Sequence, residues 1–187
     1  MEIEKTISSR RAVRAFRPEP VEENTIRSLI GAAIEAPSAM NEQPWSFVVV
    51  RSQTLLDRIS QNCKEYMTHC LPAGLLPPHL RTSLADPGFH IFYHAPVLIV
   101  ICSRVDGPWA TIDCTLAAEN LMLAARSCGL GTCWIGFAQN WLGTEAGKQA
   151  LKLPAAWLPV APIIVGHPVE FPPAVARKPP EITWIDQ

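Results

Sequence analysis

At 187 residues, 48% hydrophobic and 18% charged, the chain is long enough to bury one core and short for two, so a single domain over 1–187 is expected. Its 16 basic and 17 acidic residues nearly cancel, leaving a formal charge of −1, which excludes a global field for nucleic acid or an anionic membrane. Ala95–Cys102, the longest apolar run, is too short to span a bilayer, and Met1–Lys5 lacks the basic start and apolar stretch of a signal peptide; a cytoplasmic protein is expected.

Glu2–Ser9 reads as a short helix, and Val13, Ala15 and Phe16 as extended chain before Pro18 and Pro20 force a turn. From Glu22 to Ala36, Ile26, Leu29, Ile30, Ala33 and Ile34 recur at three- and four-residue spacing, one apolar stripe on a helix that Pro37 ends. Ser38–Pro44 is then a polar loop, and Trp45–Arg51 is rich in strand formers. Thr54–Cys63 reads as a helix, whereas Lys64–Tyr93 is interrupted by prolines and holds no steady period. Ala95–Cys102 is apolar on both faces, as a central strand is. Ala110–Ser127 is a helix apolar nearly all round, closing at Gly129 in a left-handed cap and buried against its own core or a second subunit. Thr132–Phe137 and Val160–Gly166 read as strands flanking a helix from Thr144 to Leu151. The five prolines from His167 onward make an extended arm, with the strand-like run Glu181–Asp186 at its end.

Common catalytic signatures are absent: no G-x-S-x-G elbow, no phosphate-binding G-x-x-x-x-G-K-[ST], no H-E-x-x-H. Gly129-Leu130-Gly131 leads into a strand with Trp134 where a third glycine would stand, which excludes a Rossmann fingerprint. His90 and His94 share a face, but the residues between them offer no third ligand, so hydrogen-bonded histidines and no metal are expected. Six cysteines form no CxxC pair, and several lie in apolar segments, which suits reduced core thiols.

Arg10, Arg11 and Arg14 put three guanidiniums into five residues, a candidate anion site, since guanidinium forks match phosphate oxygens. In an extended segment Arg10 and Arg14 point to one side and Arg11 to the other. The residues alone equally allow solvated arginines at a helix C-terminus. The stretch SRRAVRAF, then APSAMNEQPWSFVVV, then DCTLAAENLMLAARSCGLGTCWIGF, with Arg177-Lys178-Pro179 near the end, resembles the nitroreductase family from Ile3 to about Ile182.

That resemblance implies an α+β fold with a helix-wrapped mixed or antiparallel central sheet, in a homodimer with FMN at the subunit interface. The arm over residues 168–187 would cross to the partner and bring Arg177, with Lys178 second, near the FMN phosphate. Arg10 and Arg11 would lie near the phosphate and ribityl end, and Arg14 near the pyrimidine edge, where a fixed cation stabilises the charge that reduction adds. Ala12 replaces the serine usual in this motif and loses a hydroxyl. Pro37, Ser38, Ala39 and Asn41 would line the flavin from the other subunit, although Asn41 and its neighbours are also good turn residues; Trp45 belongs to the core. Trp134, Ile135 and Gly136 would pass over the ring, with an N–H near Gly136 or Phe137 bonding N5. The implied reaction is hydride transfer from NADH or NADPH to flavin N5 and then to a small-molecule acceptor such as a nitroaromatic or quinone, with no catalytic side chain required. A short, mostly apolar lid over Lys64–His90 would favour such flat acceptors. The alternatives are a non-catalytic flavin carrier or sensor, in which Trp134, Phe92 or Trp109 closes the ring face, and a flavin enzyme of the same fold that breaks down flavin or removes halogen.

Overall fold

In the computed structural model, which describes residues 2–70 and 78–186, the chain runs α1 (Ile3–Ser9), α2 (Glu23–Ile34), β1 (Trp45–Val50), α3 (Gln53–Cys70), α4 (Pro78–Ala85), β2 (Val97–Ser103), α5 (Ala110–Ser127), β3 (Gly131–Trp134), α6 (Gly136–Leu142), α7 (Glu145–Ala150) and β4 (Leu158–Gly166). The four strands form one antiparallel sheet in the order β1-β2-β4-β3. The unbroken apolar run of the sequence becomes β2, interior to the sheet and buried along its whole length. Its alternate residues serve two cores. Val97, Ile99 and Ile101 join α2 and α5 on one face, and Leu98, Val100 and Cys102 join α3 and α6 on the other. Helices therefore cover both faces of an antiparallel sheet, the α+β arrangement expected.

The helix at Ala110–Ser127 closes as its sequence suggests: Gly129 is left-handed (φ 78°) and the Leu130 N–H reaches back to the Ala125 carbonyl at 2.9 Å. Several elements differ from expectation. The helix expected to end at Cys63 continues to Cys70, and the segment without a period contains α4. The buried stripe of α3 continues through Lys64 and Met67, and a lysine in a core position hides the period. Lys64 satisfies its ammonium by donating to the carbonyls of Asp86 at 2.7 Å and Phe89 at 2.9 Å. The strand expected over Thr132–Phe137 stops at Trp134; Ile135 makes a last bond to the Pro162 carbonyl, and α6 begins at once, burying Ala138, Trp141 and Leu142 at helical spacing. Glu181–Asp186 forms no strand, and the arm from Ala174 to Asp186 is exposed throughout. Residues 71–77 of the expected lid lie outside the described residues. The described remainder packs on the core as the end of α3 and as α4, with Leu84 buried beside Leu56 and Met67.

Candidate functional site

After α1 the backbone turns extended at Arg10 and runs beside β3: the Val13 N–H donates to the Thr132 carbonyl at 2.9 Å, and Ala12 bridges Thr132 in parallel. Two motifs 120 positions apart, roughly, thus lie side by side. Gly131 makes the approach possible, because a Cβ there would come within 2.8 Å of Val13 side-chain carbons. Val13 is buried and faces the core, while Arg14 is exposed.

The three arginines separate. Arg10 Nε pairs with Glu119 on α5 at 3.3 Å. Arg11 is occupied by backbone: it donates to the carbonyls of Ser8 (2.8 Å), Arg10 (2.7 Å) and Pro173 (3.2 Å), the last at the root of the arm. Arg14 keeps its guanidinium 5.9 Å above the Tyr93 ring. Arg14 and Tyr93, together with residues 133–137, line a cavity of about 160 Å³. Trp134, Ile135 and Gly136 of the sequence expectation all border it. The N–H groups of Gly136 and Phe137, in the first turn of α6, have no acceptor among the described residues, so the cavity meets the positive end of a helix.

Tyr93 and Cys133 are the lining residues that the sequence did not single out. Tyr93 comes from the segment without a period, in a left-handed conformation (φ 51°), on a loop held by the Lys64 clamp and by the Ile91 N–H donating to Ser60 Oγ at 3.1 Å. Cys133 lay inside the motif but read as a core thiol. Burial raises its pKa, partly countered by Arg14 and then Arg10. Burial likewise pushes Cys102 and Cys114 up to about 12 and Cys63 higher, so these thiols stay protonated and unreactive, as core cysteines should.

The Pro37–Asn41 loop does not join this cavity. It is anchored at the other end of α5, where the Ala39 N–H donates to the buried Asp113 carboxylate at 3.1 Å. Inside the loop Ser38 Oγ accepts from the Gln43 N–H at 3.0 Å and Asn41 Oδ1 from the Gln43 amide at 2.9 Å, both turn-forming roles. Met40, Asn41 and Gln43 all have positive φ, and Met40 is 92% exposed. Trp45, just beyond, is buried as expected.

The register measures how far apart the two groups lie. The loop adjoins Trp45, which pairs with Ser103; Thr132 lies at the level of Val165 and so of Val97. The length of β2 separates these levels, about 20 Å, and β1 and β3 are opposite edges of the sheet, about 14 Å apart. Helix α5 agrees: Ala39 contacts Asp113, Ser9 contacts Arg126, and about 20 Å of helix lies between.

Among the described residues, the arm is fastened only at its root. Arg17 N–H donates to the His167 carbonyl (2.8 Å), Val169 N–H to that of Ala15 (3.0 Å), and Phe171 lies under the Arg126 guanidinium at 3.9 Å. Beyond it Arg177 and Lys178 are exposed, as are Ile182, Trp184 and Ile185, the last two at 78% and 83%.

The nitroreductase family model matches residues 7–167. A provisionally named NADH dehydrogenase/NAD(P)H nitroreductase from Methanothermobacter thermautotrophicus is 29% identical over 177 residues, 92% of this chain and 80% of its own length. A 5,6-dimethylbenzimidazole synthase from Rhodospirillum rubrum is 32% identical over 182 residues, 88% of this chain and 81% of its own. Among solved structures, a nitroreductase with bound FMN from Bacteroides fragilis superposes with a TM-score of 0.86 at 25% identity over the whole of both chains. The chain belongs to the nitroreductase family.

Proposed function

We propose that two copies of this chain form a homodimer holding FMN at their interface, and that the dimer passes hydride from NADH or NADPH to a flat small-molecule acceptor such as a nitroaromatic or a quinone. The observation that carries this reading is the separation of the two motif groups. The Arg10–Arg14 segment with residues 131–137 is one half of a cradle, the Pro37–Asn41 loop is another, and they occupy opposite corners of one sheet. A two-fold partner brings one chain's loop to the other chain's arginines. The size of the cavity agrees, since about 160 Å³ is below the usual range for a cofactor pocket.

The residues present fit FMN. The Gly136 and Phe137 N–H groups stand ready for a ring acceptor, Arg14 supplies a cation beside them, and Tyr93, Trp134 and Phe137 offer flat apolar walls. Bound FMN supplies a two-electron carrier whose N5 takes and returns hydride. Arg14 would stabilise negative charge at the ring edge, and the start of α6 would orient the ring by its free N–H groups. Arg10 and Ala12 would follow the ligand toward its phosphate, Arg11 would hold the arm's root, and Arg177 with Lys178 would reach the phosphate from the partner's arm. The exposed hydrophobic residues of the arm and Ile112 and Leu116 on α5 supply surface for such a dimer.

Of the three aromatic residues that could close the ring face, Phe92 is fully buried in the core, Trp109 stands at the start of α5, and Trp134 alone borders the cavity. A second reading, different flavin chemistry on the same fold, is favoured by the Rhodospirillum relative, which is named a synthase.

The test is a visible spectrum of the purified protein, followed by anaerobic NADH or NADPH and then a quinone or nitroaromatic. A flavin spectrum that bleaches and recovers is expected. Flavin that bleaches and, on exposure to oxygen, is lost instead of recovering while a benzimidazole forms would favour the second reading; flavin that never bleaches would favour a carrier, and protein that cannot be loaded with FMN would overturn the proposal.

A further inference from the structure

The two histidines that the sequence left without a third ligand acquire one on folding. Asp57, 33 residues before His90, comes from α3 and lies 3.2 Å from His90 Nε2. His94 returns to the same place: Tyr93 and His94 are both left-handed (φ 51° and 52°), and this double turn sets the His94 ring 4.4 Å from the His90 ring. Two successive residues other than glycine in this conformation are uncommon. One ligand atom from each of Asp57, His90 and His94 lies within 4.8 Å of the others. They face a cavity of about 530 Å³ that is also bordered by Pro18, Gln53 and Pro96 and shares no lining residue with the Arg14 cavity.

We propose that Asp57, His90 and His94 bind one divalent transition metal ion of the Zn²⁺ class. Two imidazoles and a carboxylate are the donor set that borderline ions such as Zn²⁺, Co²⁺ and Ni²⁺ prefer, and water from the open cavity would complete the shell. Ligands on one tetrahedral zinc stand about 3.4 Å apart, and the Asp57–His90 separation already matches this. His94 has no hydrogen-bond partner among the described residues, and its exposed ring can close the remaining gap. The Gln53 amide lies 3.5 Å from the same Asp57 oxygen and steadies the carboxylate. Without metal, the Phe92 N–H donates to His90 Nδ1 at 3.1 Å, so Nε2 carries the ring proton toward Asp57. Coordination through Nε2 moves that proton to Nδ1 by way of solvent, and the Phe92 N–H gives up its acceptor. Loading therefore acts on the backbone next to Tyr93, which lines the other cavity. The proposal stands whether or not FMN binds.

Equilibrium dialysis of the whole, chelator-stripped protein against micromolar Zn²⁺, with the bound metal counted by elemental analysis, tests it. One ion per chain is expected, with affinity falling at least tenfold in Asp57→Asn and in His94→Gln and unchanged in His69→Gln and Cys70→Ser. Asp57 and His94 are exposed, so folding of these variants is readily checked by thermal melting. Co²⁺ in place of Zn²⁺ should give visible ligand-field bands without a thiolate charge-transfer band. No binding at micromolar Zn²⁺, binding untouched by both Asp57→Asn and His94→Gln, or a thiolate band would overturn the proposal.

Discussion

A methyl group at position 131 would sit 2.8 Å from Val13 Cβ and from one of its methyls, with the other at 2.9 Å. The neighbours cannot yield cheaply, because Val13 is buried and its backbone is bonded to Thr132. Gly131→Ala should therefore destabilise the fold by about 1–3 kcal/mol, the usual cost of overpacking, and displace the Arg14 segment. Val13→Ala in the same chain should return part of that stability, which denaturant unfolding of the two single variants and the double variant would show. Additive losses would mean that the contact is not the cause. The same scale explains why three clustered arginines do not act alike. Alternation along an extended chain sends Arg11 to the side of the arm, where three carbonyls take it up, and leaves Arg14 at the cavity.

Elements were legible where one physical signal dominated. The buried run of β2, the stripe of α2 and the glycine cap of α5 follow from periodicity and conformational preference, and they formed as the residues imply. The sequence was opaque where a side chain contradicts its position. Lys64 occupies a core site because loop carbonyls more than twenty residues ahead accept its protons, and no local pattern announces that. Tyr93 entered the cavity through the same loop, and Asp57 met the histidines only because α3 and this loop pack together. The motif segments were legible as motifs; their placement at opposite corners of the sheet was not, since it depends on strand register. The arm runs without secondary structure, as its prolines imply, and its tail is exposed. Deleting the chain after Pro173 leaves every described contact of the root intact, so the truncated protein should fold. On the proposed reading it should dissociate to monomers and lose FMN, which sedimentation and visible absorbance would report. A flavin-loaded dimer without the tail would remove the arm from the interface.

At the level of the whole molecule, the proposed division of the cradle between chains makes a genetic prediction. Arg14→Glu damages one half, and Asn41→Asp damages the other while preserving the left-handed turn, which aspartate tolerates. Each homodimer would carry two damaged sites. Co-expressed with different tags and purified as the heterodimer, the pair should have one site damaged twice and one intact, with about half the parent's turnover, since one of two sites survives. A heterodimer no more active than either parent variant would mean that both halves come from one chain.

The bonds that join residues 15–17 to 167–169, and Arg11 to Pro173, fasten the beginning of the chain to its end. Chain ends are ordinarily the first parts of a protein to fray, each on its own account. Joined by these bonds, the segments 11–17 and 167–173 should open as one unit. An opening that loosens the strip carrying Arg14 would also unmoor the tail carrying Arg177, so on the proposed reading a single local unfolding equilibrium would govern both the chain's own half of the cradle and the clasp it extends to its neighbour.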